Sequence, residues 1–348
     1  MDPWLIVDPR FADPVERAVA EAVIRAVASG WSELNEIDVS DPVVSGVLQR
    51  HRIATLIPTE AVPEASRTRF REQLQSAYVT QMRLQAAALE VCGALTDAGI
   101  EHRVLKGLAS AFLDYPRPEL RQTGDVDLAI RPDALAETER VLRRLNAERL
   151  PGSRAGELMK GTTWRTPRGI EIDVHTRLFI RSWGEVSPLD VAGEPIAEVG
   201  SAGLPLELRL VHAAGHLLGS PVGARRMSGA ADVVRLLASD PDPARVRRHA
   251  EDLGVEPLVG ASIGYVQALS AQPRWSELDG WQQLDWFDRR VLLGDRRRWG
   301  FEYLGRMRNV RPDRRLAYLP TWLVPRREAA RKAWVDIRNR RGGRRAAR

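Results

Sequence analysis

The residues of this 348-residue chain best suited to chemistry are three aspartates on two short alternating segments. In DVDLAI (125–130), Asp125 and Asp127 alternate with Val126, Leu128 and Ile130. As a strand, the segment puts two carboxylates on one face and three apolar side chains on the other. IEIDVHTRL (170–178) repeats the pattern, with Ile170, Ile172 and Val174 on one face and Glu171, Asp173 and His175 on the other. If the two strands are neighbours, Asp173 becomes a third carboxylate beside the first two. Crowded carboxylates repel, and burying them uncompensated shifts a pKa or costs several kcal/mol. A divalent cation resolves that conflict, and oxygen-only ligands favour Mg²⁺ or Mn²⁺. Three carboxylates on adjacent strands suit two ions, one lowering the pKa of an attacking hydroxyl and one holding a triphosphate and its leaving oxygen.

Upstream, Lys106-Gly107 falls where a strand ends and a helix begins. A helix start offers unpaired N–H groups and positive dipole to a phosphate, and a glycine lets the backbone approach closely. Only three of the 52 basic residues are lysines (Lys106, Lys160 and Lys332), and a compact point charge reaching a phosphate is one reason to keep a lysine there. Lys106 and Arg121 are the expected cations for a triphosphate. His175 shares the Asp173 face and is placed either to orient a carboxylate or to touch substrate. Trp164 suits stacking on a base or covering the core. His212 and His216 share a helix face, but HAAGH lacks the glutamate of a zinc-binding H-E-x-x-H, so packing or contact with the sheet is the expectation. Asp232 suits either the same cleft or a helix surface.

These side chains need elements to hold them. Residues 14–29 have helical spacing and stop at Gly30. Residues 66–98 read as one long helix whose stripe runs from Phe70 to Leu95, with Gln81 as a polar gap and Gly99 as the C-cap. The periodicity then changes. Residues 102–106 read as a strand, 107–114 as a short helix, 125–130 as a strand, and 133–146 as a helix with Asp133 as N-cap. Residues 159–167 and 170–178 read as a hairpin. Helices return after 203, most clearly at 207–219 and 231–239, and residues 281–308 are rich in Trp, Leu and Arg. The expected architecture is α+β: a small mixed sheet with helices on one side, flanked by helical regions. The expected division is 1–99, 100–200, 201–325 and a basic, disordered tail at 326–348.

Composition narrows the class. With 28% charged and 44% hydrophobic residues the chain is globular. A single cysteine, Cys92, excludes an intramolecular disulfide, and its apolar surroundings make it buried and inert. No apolar run reaches membrane-spanning length, and MDPWLIV is too short for a signal peptide, so a soluble cytoplasmic protein without membrane contact is expected. Residues 326–348 carry ten basic and two acidic residues, a net of +8 against +6 for the whole chain, so the body is near neutral at −2. That tail suits RNA phosphates or an anionic partner, but equally a solvated end.

The run from Lys106-Gly107 through Tyr115-Pro116 and Arg121 to Asp125-Val-Asp127, followed by Ile172-Asp173-Val174-His175, resembles the uncharacterised nucleotidyltransferase family of the DNA-polymerase-β-like superfamily. The similarity is close over 104–178 and looser through His212, His216 and the AADVVRLL segment. The superfamily's usual Gly-Ser pair stands here as Lys106-Gly107. The resemblance implies transfer of a nucleoside monophosphate from an NTP such as ATP, with release of pyrophosphate. Asp125, Asp127 and Asp173 would hold the metal, and Lys106, Gly107, Arg121 and His175 the nucleotide. The acceptor stays open among a small molecule, a peptide or protein, and RNA. Two other readings of the residues are a D-x-D metal-dependent glycosyltransferase and a nucleotide- or RNA-binding module without turnover.

Overall fold

The structure, a computed structural model, describes residues 14–30, 41–151, 161–179, 187–219 and 226–270. The expected features at 159–160, 281–308 and 326–348 lie outside these residues. Chain order begins with three helices, α1 (Pro14–Ser29), α2 (Pro42–Arg50) and α3 (Glu64–Asp97). Asp41 starts α2 by accepting the Val43 N–H at 2.7 Å, with Pro42 in the first turn, where its missing N–H costs nothing. Gly99 ends α3 at φ +70°, in the left-handed conformation that closes a helix.

The sheet follows. Strand β1 (His102–Leu105) leads into α4 (Lys106–Leu113), and β2 (Asp125–Ile130) into α5 (Leu135–Arg144). Then come β3 (Glu148–Arg149), β4 (Gly161–Arg165) and β5 (Glu171–His175). Their order across the sheet is β1-β2-β5-β4-β3, with β2 and β5 parallel and the other pairs antiparallel. The hairpin expected from 159–178 is β4–β5. The two-residue β3 carries too little alternation to read from sequence. Asp133 does not cap α5: Pro132 opens a 3₁₀ turn over 132–134, which moves the helix start to Leu135 and leaves Ala134 at the cap without a side-chain bond.

A small hairpin of β6 (Glu194–Ile196) and β7 (Ser201–Gly203) precedes the last four described helices. These are α6 (Leu206–Gly219), α7 (Met227–Ala238), α8 (Pro243–Leu253) and α9 (Glu256–Ser270). None of the described helices is long and apolar enough to cross a membrane.

Two apolar cores result. One lies under the sheet, where Val126, Leu128, Ile172 and Val174 pack against Leu84, Val91 and Leu95 of α3 and Val141 and Leu142 of α5. The other joins the two ends of the chain, with Val23 and Ile24 of α1 and Val47 of α2 packing among Leu210, Val234 and Ile263 of the later helices. The molecule is therefore α+β, with a mixed sheet covered on one face by α3 and α5. Cys92 is fully buried in the first core, and burial pushes its thiol up to about 12. Gln81, the polar gap in the α3 stripe, is buried with neither amide atom paired among the described residues.

Trp164 belongs to this core rather than to a binding surface. It is 1% exposed, its Nε1 donates to Thr162 Oγ1 at 2.9 Å, and the Arg143 guanidinium covers its ring at 5.3 Å. Trp164→Ala is expected to lower stability by about 3–5 kcal/mol through the cavity left behind, measured by denaturant unfolding.

Candidate active site

The β2–β5 register builds the site. Asp127 stands directly opposite Asp173, with Asp125 opposite Glu171 and Ala129 opposite His175. The polar faces of the two strands therefore coincide as the alternation requires. Among the described residues, donor atoms of Asp127, Asp173 and His175 all lie within 4.8 Å of one another. Asp125 lies two residues before Asp127 on the same face and lines the cleft above the cluster.

Asp127 and Asp173 are held. Lys106 Nζ donates to Asp127 Oδ1 at 2.5 Å, and His175 Nε2 lies 2.6 Å from the same oxygen. An ionised carboxylate only accepts, so Nε2 carries the proton in that bond. The 3.4 Å approach of Lys106 Nζ to Nε2 is then a contact between two donors. Thr163, across from Asp173 on β4, donates its hydroxyl to Asp173 Oδ1 at 2.7 Å.

The charges respond. Burial pushes the Asp127 carboxyl upward, but the Lys106 ammonium and the His175 hydrogen bond outweigh it and hold it well below the usual range. Asp125 is raised, first by burial and then by repulsion from Asp127, with Asp173 adding to it. The cluster thus holds more negative charge than Lys106 alone neutralises. The carboxylates of Asp127 and Asp173 at this spacing fit an oxygen-seeking divalent cation of the Mg²⁺ or Mn²⁺ kind. In the geometry seen, His175 orients Asp127, and it would have to give up its Nε2 proton to act as a ligand.

Lys106-Gly107 opens α4 as expected, by an unusual backbone. Lys106 has φ +51°, a conformation rare for a residue with a side chain, and it aims the ammonium at Asp127. A Cβ on Gly107 would stand 2.5 Å from Thr123 Oγ1, so the glycine lets α4 seat against the loop before β2. The α4 N-terminus has no side-chain cap and faces a cleft of about 290 Å³ lined also by Arg121, Thr123 and Asp125.

Arg121 has a partner that sequence reasoning did not anticipate. Its Nε and Nη2 donate to the two oxygens of Asp232 at 2.6 and 2.7 Å, and Tyr115 donates its hydroxyl to Asp232 Oδ1 at 2.8 Å. Burial opposes the Arg121 charge, yet Asp232 keeps that group above its ordinary value. Asp232 thus faces the cleft, through Arg121. Tyr115 of the Tyr-Pro pair is a buried strut beneath it, raised well above its usual value by burial and by Asp232. His212 packs edge-on between the rings of Phe179 and His216, at 5.4 and 6.0 Å, and both histidines line the cleft.

Other residues escaped the sequence. Thr163 could have been found as the inward residue of β4 opposite Asp173. Arg209, which forks onto Asp114 Oδ1 at 2.9 and 3.1 Å, and Arg52, on the cleft rim, carry no local signal.

A family model described as uncharacterised nucleotidyltransferase matches residues 42–271. The chain belongs to that family. No curated protein matches it in sequence. Among solved structures it is similar to ANT(2")-Ia in complex with adenylyl-2"-tobramycin, at 12% identity and a TM-score of 0.36, covering 49% of this chain and 96% of that one. A solution structure of ANT(2'')-Ia has 14% identity and a TM-score of 0.34, covering 58% and 95%. An antigenic nucleotidyltransferase-like protein from Paracoccidioides brasiliensis has 15% identity and a TM-score of 0.37, covering 57% and 91%.

Two outcomes are expected. Asp232→Ala leaves the Arg121 charge buried without its partner and should cost about 3–5 kcal/mol, read by denaturant unfolding. The second concerns pH. The native state binds the Asp125 proton more tightly than the unfolded chain does, so stability falls as pH rises from the ordinary carboxylate value through the raised one. A divalent cation competes with that proton. Its stabilisation of the melting temperature should therefore be small at about pH 4 and full at about pH 8. Equal stabilisation at both values would count against a carboxylate site.

Proposed function

We propose that this protein is a metal-dependent nucleotidyltransferase that moves a nucleoside monophosphate from an NTP to an acceptor hydroxyl or similar group. An acceptor oxygen attacks the α-phosphorus, the bond from that phosphorus to the bridging oxygen breaks, and pyrophosphate leaves. The observation that carries this reading is the convergence of Asp127, Asp173 and His175, with Asp125 on the same face, at the side of a cleft that an uncapped helix N-terminus also faces.

Asp125, Asp127 and Asp173 would hold Mg²⁺ or Mn²⁺. The ion would supply charge neutralisation for the triphosphate and a lower pKa for the acceptor. Asp127 is locked for this role by the hydrogen bond from His175, and Asp173 by the hydroxyl of Thr163. The α4 N–H groups and Lys106 would take phosphate oxygens, with Lys106 exchanging Asp127 for phosphate. Arg121 would act through its link to Asp232, fixing the loop that carries Thr123 and leads into Asp125. Most of the rate enhancement would come from positioning and preorganised charge, as phosphoryl transfer generally requires.

The test is mass spectrometry of the protein incubated with each ribonucleoside triphosphate and Mg²⁺, alone and with cell extract. A nucleotide-sized mass addition to some species is expected, lost on chelation and reduced at least about a thousandfold in Asp127→Asn. Full turnover in that variant would overturn the assignment. Release of nucleoside diphosphate from a sugar nucleotide offered in place of the triphosphate would point to glycosyl transfer instead.

A further inference from the structure

The turn after α2 brings a cation to the cleft from outside the sheet. Arg52 has φ +55°, a left-handed conformation that residues with side chains seldom adopt. The turn is tied down on both sides. Arg52 N donates to Gln49 O at 3.1 Å and Ile53 N to Leu48 O at 3.0 Å. His51 receives the first N–H groups of α7, Met227 N on its Nδ1 at 3.4 Å and Ser228 N on its carbonyl at 3.2 Å.

From this fixed base the guanidinium reaches the loop before β2. A Cβ built on Gly124 would lie 2.9 Å from Arg52 Nη2 and 3.3 Å from Cζ, so the group rests on bare glycine backbone, one residue before Asp125. It lines the same cleft as Gly107 and Thr123.

Its commitments differ from those of its neighbours. Lys106 is engaged by Asp127, Arg121 by Asp232 and Arg209 by Asp114. Among the described residues the Arg52 guanidinium makes no hydrogen bond or ion pair, and only its field reaches Asp125. The left-handed backbone closes α2 as Asn146 closes α5, but folding gives no reason for an unpaired, exposed guanidinium to rest on a glycine beside a helix N-terminus.

We propose that Arg52 binds the polyphosphate of the donor nucleotide, an inference that rests on the nucleotide-transfer reading above. The planar fork donates two N–H groups to non-bridging oxygens, a geometry that lysine does not reproduce. Gly124 leaves room for the guanidinium to lie flat at the entrance to the carboxylate site.

The test compares wild type with Arg52→Gly and Arg52→Lys in binding titrations with Mg²⁺. The probes are inorganic tripolyphosphate, which carries no base, the four nucleoside triphosphates and the four nucleoside monophosphates. Arg52→Gly is expected to weaken tripolyphosphate and the preferred triphosphate at least about tenfold, and monophosphates less than about threefold. Arg52→Lys should fall between. Because glycine adopts the left-handed turn without strain, Arg52→Gly should melt at the wild-type temperature or above. Should it not fold, Arg52→Gln serves in its place.

Wild-type binding of triphosphates that Arg52→Gly leaves unchanged would overturn this inference and leave the nucleotide reading intact. An equal loss for monophosphates would place Arg52 on a single phosphate, of nucleotide or acceptor, and overturn the polyphosphate assignment. A lower melting temperature with unchanged tripolyphosphate affinity would assign Arg52 to folding and overturn it as well. Failure of the wild type to bind any triphosphate or tripolyphosphate would overturn both readings together.

Discussion

The parallel pairing of β2 with β5 sets Asp127 against Asp173, and most of the site exists to manage the repulsion that follows. Two aspartates directly opposite on a half-buried face are unfavourable unless something neutral or positive stands near each. Lys106, His175 and Thr163 meet that need, from α4, β5 and β4. Each comes from an element whose own position is fixed by apolar packing on the opposite face of the sheet. The hydrophobic core thus supports an electrostatically costly arrangement that sheet pairing alone would not favour.

The strand faces and helix periods were legible because they are local. Alternation in 125–130 and 170–175 gives the polar face directly, and the α3 stripe gives a helix to within two residues at either end. The carboxylates therefore fall where their spacing says they should. The partnerships across the cleft were not legible. Arg121 and Asp232 are 111 positions apart, and nothing in either neighbourhood names the other. Arg52 was hidden twice over, in a turn with no glycine to announce its left-handed backbone and in a region that reads as helical packing. Asp133 misled because a good capping residue beside a proline is equally at home in a 3₁₀ turn.

The site is also shared between parts of the chain that look separate in sequence. The N-terminal helices pack in the same core as α6 to α9. The chain therefore leaves and returns to one body, with the sheet inserted between. The cleft is the seam, with carboxylates on the sheet side and Arg52, Arg209 and the two histidines on the other.

Helix α3 gives that seam a mechanical character. Its 34 residues extend about 50 Å. Phe70, near one end, is embedded in the core of the helical body, while Leu84 to Leu95, toward the other, are embedded under the sheet. One rigid rod is thus an axle set in both halves, and the buried Arg121–Asp232 fork is a latch between the same halves. Two bodies joined at an axle and a latch cannot slide past each other. With the latch shut, and Arg209 paired to Asp114 across the same seam, the gap keeps its width for as long as those buried ion pairs hold.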